Sequence, residues 1–253
     1  MFFDSHAHLN DERFDEDRDA LISSFNQNGI CNVVNIGADL KTSRESIELA
    51  EKYDFIYAAV GVHPHDVEDM TDADLDTLSD MSKHEKVVAI GEIGLDYYYD
   101  NSPRELQRKW FRAQMELANK LNLPVIIHSR DAMGDTLEIL KDCPVKAGVL
   151  HCYSGSVESA KEILKLGYYI SFAGPVTFKN SRGLSEVAKY VPIDKLLIET
   201  DSPYLTPEPY RGKRNSSLYV PEVAKKIAEL KGLTVEEVAK ATMENTKKLF
   251  EIK

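Results

Sequence analysis

His6 and His8 stand one residue apart in Asp4-Ser5-His6-Ala7-His8, directly after a short apolar run. Side chains alternate along an extended chain, so both imidazoles point the same way and can bind one ion. The rival reading is two ordinary surface histidines. Asp4 shares their face and is expected either to orient a ligating imidazole, as carboxylates commonly do, or to serve a structural role. Glu92 lies in the apolar run Val88-Ala89-Ile90-Gly91-Glu92-Ile93-Gly94-Leu95-Asp96. A carboxylate buried there cannot stay charged and unpaired, so it coordinates a metal or pairs with a buried arginine. His128 closes Pro124-Val125-Ile126-Ile127-His128, and His151 closes Val149-Leu150-His151. One core histidine is ordinarily just hydrogen-bonded, but two at equivalent strand ends point to ligation. Asp201, in Leu197-Ile198-Glu199-Thr200-Asp201, completes a set of six candidate ligands. Glu199 falls on the same face as Asp201, with Asp201 further out, at the reacting end.

These residues need strands to carry them. Strand-like apolar runs occur at Phe2–Asp4, Val33–Ile36, Ile56–Val62, Val87–Ile93, Val125–His128, Gly148–His151, Tyr168–Phe172 and Leu196–Glu199. Several are almost wholly apolar, as strands buried on both faces should be. Amphipathic segments separate them, such as Pro103–Leu121 and Thr234–Phe250, the latter opening with the capping box Thr234/Glu237. Alternation of this kind, eight times over, predicts a (β/α)8 barrel spanning residues 1–253 as one domain. A doubly wound open sheet is the alternative. In a barrel the C-terminal strand ends share one face, and all six candidates fall there.

Composition narrows the class. The 253 residues are 43% hydrophobic, enough for one large core, and carry a formal charge of −11. Such acidity gives no general attraction to membranes or nucleic acid, so a polyanion would need a local basic patch. Cys31, Cys143 and Cys152 form no CxxC pair, which fits a reducing compartment and excludes a disulfide framework or zinc ribbon. Charges interrupt every apolar run and no basic leader opens the chain, so a cytoplasmic location is expected, with no obligate protein partner evident.

With these features in place, the sequence resembles the TatD family of metal-dependent deoxyribonucleases, a branch of the amidohydrolase-like barrels. The resemblance rests on FFDSHAHLN at the start, GVHPH at 61–65, GEIGLDYYYD at 91–100, PVIIHSRDA at 124–132, HCYSGS at 151–156, SFAGPVTFKN at 171–180, LLIETDSPYLTP at 196–207 and PYRGKRN at 209–215. It implies two divalent cations, zinc, magnesium or manganese. His6, His8 and Asp201 would hold one, His128 and His151 the other, and Glu92 would bridge them. Family members often continue RGKRN with Glu-Pro, whereas Ser216-Ser217 follows here.

Two neighbouring divalent ions can polarise a phosphoryl oxygen and activate water, with Asp201 as general base and Glu92 as the catalytic bridge. Cleavage of DNA phosphodiester bonds is therefore the expected activity. The alternatives are hydrolysis of an ester or amide, such as D-aminoacyl-tRNA, and a metal-binding barrel without catalysis. His63, ending the third run, should face the pocket as a substrate contact, while His65 supports a ligand or sits in a loop and His84 is solvated. Arg130, two residues after His128, and the loop cations Arg211, Lys213 and Arg214 are candidate phosphate contacts, the loop's rival reading being a solvated charge run. Of Tyr97, Tyr98 and Tyr99, at least one is expected to stack on a base, with Tyr97 the candidate and packing the alternative.

Overall fold

The apolar runs become strands buried on both faces, and the segments between them become the helices that cover the outside. The computed structural model describes residues 1–253, from β1 (Phe2–Ala7) through α1 (Arg18–Ser23), β2 (Ile30–Ile36), α2 (Leu40–Lys52), β3 (Ile56–Val60), α3 (Asp72–Met81) and β4 (Val87–Asp96). The chain continues through α4 (Arg104–Leu121), β5 (Val125–Arg130), α5 (Met133–Asp142), β6 (Gly148–Leu150), α6 (Val157–Lys165), β7 (Tyr169–Phe172), α7 (Arg182–Tyr190), β8 (Leu196–Ile198), α8 (Val220–Lys231) and α9 (Val235–Phe250). All neighbouring strands pair in parallel, in the unbroken order β1 to β8. A doubly wound sheet would reverse its order at a switch point; this one does not, and it is a (β/α)8 barrel.

Strand alternation divides the core. Phe3, Val34, Ile36, Ile126, Val149 and Leu197 form one cluster, into which Leu249, Phe250 and Ile252 from the chain's end also pack. Their strand neighbours Val33, Val125, Ile127, Leu150, Leu196 and Ile198 belong to the larger cluster shared with the helices. Thr234 Oγ1 accepts the Glu237 N–H at 3.2 Å and the Glu237 carboxylate accepts the Thr234 N–H at 2.8 Å, so α9 starts at the capping box read from the sequence. No helix is long and apolar enough to cross a membrane.

The seam between β8 and β1 is closed by few bonds. An isolated parallel bridge joins Ala7 and Ser202. The Asp201 N–H donates to the His6 carbonyl at 2.9 Å, and the His8 N–H to the Ser202 carbonyl at 2.8 Å. Asp4 supplies the rest: its carboxylate accepts the Thr200 N–H at 2.9 Å and the Thr200 hydroxyl at 2.6 Å. Of the two roles open to it in the sequence, Asp4 thus takes the structural one and does not orient an imidazole. β8 ends at Ile198, and the Thr200 amide beyond it takes the buried carboxylate as its partner. Burial pushes the Asp4 carboxyl up to about 7, against the pull of these donors.

β4 outruns its apolar stretch and reaches Asp96, held close to β5 by Gly94. Gly94 has φ +141, and a Cβ there would lie 2.0 Å from the His128 carbonyl oxygen. Gly94→Ala is expected to lower stability by about 2–5 kcal/mol, through backbone strain plus forced separation of the two strands. A urea-unfolding midpoint unchanged from wild type would contradict this close approach.

Candidate metal centre

Glu92 sits on β4 with both carboxylate oxygens enclosed by imidazoles, and no lysine or arginine reaches it. Oε2 lies 3.4 Å from His6 Nε2 and 3.6 Å from His8 Nε2. Oε1 lies 2.7 Å from His151 Nε2, 2.9 Å from His128 Nδ1 and 3.4 Å from His63 Nε2. Asp201 Oδ1 closes the first group, 3.6 Å from His6 Nε2 and 3.5 Å from His8 Nε2. Asp201 holds this position from a left-handed backbone conformation, φ +55, which aspartate tolerates better than most residues.

The donor set fits a metal. His6 Nε2 and His8 Nε2 approach to 3.2 Å, and His128 Nδ1 and His151 Nε2 to 3.3 Å. Imidazole lone pairs facing each other so closely repel unless a proton or a cation lies between them. The buried His6 Nδ1 has no hydrogen-bond partner. Three sets, His6/His8/Glu92, His63/Glu92/His128 and His6/His151/Glu199, place their ligand atoms within 4.8 Å of one another.

A second ring of carboxylates holds the rings in place. His8 Nδ1 lies 3.3 Å from the Ile36 carbonyl oxygen. His128 Nε2 is 3.1 Å from Asp96 Oδ2, which also meets His65 Nε2 at 2.8 Å. His151 Nδ1 is 3.2 Å from Glu199 Oε1, which also accepts the Cys152 N–H at 2.7 Å. Asp96 carries this role without having been singled out in the sequence, although a two-residue period from Glu92 places it on the same side of β4. Glu199 shares a face with Asp201, as expected, and its place is behind His151.

Charge shapes the site. Burial alone would raise the Glu92 carboxyl, but the surrounding imidazoles, His151 foremost, outweigh it and hold the group well below the usual range. Burial alone would lower His151, but Glu92 and Glu199 hold it well above its ordinary value. His6 is lowered by burial and by His151 beside it. Asp201 is lowered, burial being outweighed by its hydrogen bond from His8 and the charges of His6 and His151.

The centre opens into a broad cleft of about 1670 Å³, lined among others by His63, Tyr99, Arg130, Asp201 and Tyr204. Arg130 lies over the rings of Tyr98 at 4.1 Å and Tyr99 at 4.8 Å. Other expected contacts are elsewhere. The Tyr97 hydroxyl donates to Asp135 at 2.6 Å under the Arg104 guanidinium, so Tyr97 is turned to packing and Tyr99 takes the place beside the cleft. Arg211, Lys213 and Arg214 do not line the cleft. Arg211 covers Phe178, Lys213 faces Tyr210, and Arg214 makes a two-pronged pair with Asp17 at 2.6 and 2.8 Å. On an acidic chain these cations find local partners, and Arg214 ties the loop after β8 to the loop after β1. Asn215 within that motif is buried and donates to the carbonyls of Thr200 and Tyr204. His84 lies at the surface, 3.1 Å from Glu51.

Residues 3–251 match the family model described as TatD related DNase. An uncharacterized metal-dependent hydrolase of Bacillus subtilis, YabD, is 52% identical over 254 residues, covering 100% of each chain. YcfH of Escherichia coli, also an uncharacterized metal-dependent hydrolase, is 41% identical, covering 98% of this chain and 95% of its own. The crystal structure of YJJV, a TatD homolog from Escherichia coli, superposes with a TM-score of 0.93 at 32% identity, covering 100% of this chain and 98% of that one.

Glu199→Gln should leave the barrel folded yet weaken metal uptake about 10- to 100-fold, the usual cost of losing a carboxylate behind a ligating histidine. Metal titration of the variant against wild type measures it; equal affinities would show that Glu199 does not support the centre.

Proposed function

Because the chain belongs to the family of TatD-related DNases, we propose that it is a metal-dependent hydrolase that cleaves phosphodiester bonds of DNA. The observation that carries this reading is the division of the two Glu92 oxygens between separate groups of imidazoles. His6, His8 and Asp201 with Glu92 Oε2 would hold one divalent cation, and His128 and His151 with Glu92 Oε1 a second. Charge supports the same count. Glu92, Asp96, Glu199 and Asp201 bring four negative charges, paired with histidines and with no lysine or arginine. Two divalent cations would balance them. The nitrogen-rich donors suit zinc or manganese, and the carboxylates accommodate magnesium. Bound there, the cations would polarise a phosphoryl oxygen and lower the pKa of water.

The chain's own groups supply the rest. Asp201, at the mouth of the first set and below its usual pKa, would accept the proton of the attacking water. The water oxygen bonds to phosphorus, and the bond from phosphorus to the leaving sugar oxygen breaks, that oxygen taking up a proton from solvent while Asp201 releases its own to solvent. Arg130 is suited to hold the phosphate. Of the four cations lining the cleft, Arg18 pairs with Asp15, Lys41 with Glu45 and Lys52 with Asp19, whereas Arg130 has no carboxylate partner. Tyr99, 54% exposed at its side, is suited to meet a base.

The test is hydrolysis of labelled single- and double-stranded DNA oligonucleotides, with a D-aminoacyl-tRNA alongside, in magnesium, manganese and zinc. DNA should be cleaved, and excess EDTA should abolish cleavage while leaving the fold intact. Cleavage of the aminoacyl ester alone would replace the phosphodiester reading; full activity in EDTA would remove the metal from it.

Two substitutions separate the roles. Asp201→Asn should lower turnover by roughly two to four orders of magnitude, as loss of a general base does. Arg130→Gln should raise KM for DNA roughly 10- to 100-fold, the worth of a hydrogen bond from a charged donor, while Arg211→Gln with Lys213→Gln changes it little. A larger effect from the loop pair than from Arg130 would return phosphate recognition to the loop.

A further inference from the structure

We infer that His63 serves the centre as a fixed N–H donor to the substrate oxygen that gains charge in the transition state, and not as a metal ligand. By distance alone His63 is a ligand candidate, within reach of Glu92 and His128. Its other nitrogen decides otherwise. His63 Nδ1 accepts the backbone N–H of His65 at 3.2 Å. A backbone amide only donates, so Nδ1 must carry a lone pair and the ring's proton must sit on Nε2. Nε2 is the atom that faces the centre, 3.4 Å from Glu92 Oε1.

Three of the other imidazoles are arranged the opposite way, and His6 Nδ1 has no partner. The outward nitrogens of His8, His128 and His151 face the Ile36 carbonyl, Asp96 and Glu199, all acceptors, which draw the proton outward and leave the inward nitrogen free to ligate. Only His63 meets a donor on its far side. The lock is rigid, because His65 is itself fixed: its Nε2 lies 2.8 Å from Asp96 and its carbonyl accepts the Ser102 hydroxyl at 2.8 Å. His63 Nε2 stands farther from Glu92 Oε1, at 3.4 Å, than the ligating nitrogens of His151 and His128 at 2.7 and 2.9 Å, and His63 borders the cleft. A pre-aimed neutral donor beside a hydrolytic centre is suited to a developing oxyanion, since it needs no reorientation as charge accumulates. The oxygen would be a non-bridging one of a phosphodiester.

This inference rests on hydrolysis at the proposed centre, so its test includes readouts independent of DNA cleavage. His63→Ala and His63→Gln are compared with wild type for bound zinc, for 15N–1H correlation of the His63 ring in the zinc-loaded protein, and for kinetics on a DNA oligonucleotide and on p-nitrophenyl acetate. Both variants should bind as much zinc as wild type, and the wild-type ring should carry its proton on Nε2. His63→Ala should lower kcat roughly 10²- to 10³-fold on whichever substrate is hydrolysed, the range for losing one oxyanion donor, with KM little changed. His63→Gln, which keeps an N–H donor, should recover about tenfold of that. Loss of zinc in both variants, a proton on Nδ1, or an unchanged kcat in His63→Ala would overturn the donor role. Hydrolysis of the ester with no DNA cleavage would instead overturn the phosphodiester reading and leave the His63 comparison to be read on the ester.

Discussion

A carboxylate buried in the middle of a parallel barrel strand is the constraint around which this molecule is arranged. Removing Glu92 from water costs several kcal/mol unless positive charge or hydrogen-bond donors surround it. No lysine or arginine comes near, and five imidazoles from β1, β3, β5 and β6 or the residues just past them close in instead. That convergence demands that β3, β4 and β5 approach closely. Gly91 permits it, since a Cβ there would lie 2.7 Å from the Ile126 Cβ. The residue that bears the charge is thus preceded by one with no side chain, for the same geometric reason.

Around this centre lies a layer that determines what each imidazole offers. Asp96, Glu199 and the Ile36 carbonyl accept from three rings, while the His65 amide donates to a fourth. Identical side chains acquire different chemistry from the far nitrogen's partner, so the tautomer is fixed by the group behind each ring. Two HxH segments illustrate this. His6-Ala7-His8 turns both Nε2 atoms onto one carboxylate oxygen, whereas in His63-Pro64-His65 the second histidine's backbone fixes the first.

The barrel and the six rim residues were legible because both follow from short-range periodicity. Buried strands read as apolar runs, and a polar residue closing such a run stands out. Asp96 escaped because the strand read from the sequence stops at Ile93, three residues short of it, whereas β4 runs on to Asp96. Which of its two roles Asp4 takes was not legible because its partner, Thr200, lies 196 residues away. The same limit applies to the loop cations: three positive charges in four residues look like a phosphate site until Asp17, 197 residues from Arg214, claims one of them. Sequence shows what a side chain is able to do; the partner that takes it is a property of the closed fold.

The seam has a consequence for how the protein comes into being. His6 and His8 leave the ribosome nearly two hundred residues ahead of Asp201, which completes their set. The Asp4–Thr200 contact that joins the two ends is among the most non-local in the chain, and closing so long a loop costs entropy before the contact rewards it. The nascent chain therefore carries an incomplete set of ligands until Asp201 has been made. Competence to bind the first cation arrives with ring closure, so a chain stalled or truncated before residue 200 is left without the complete centre.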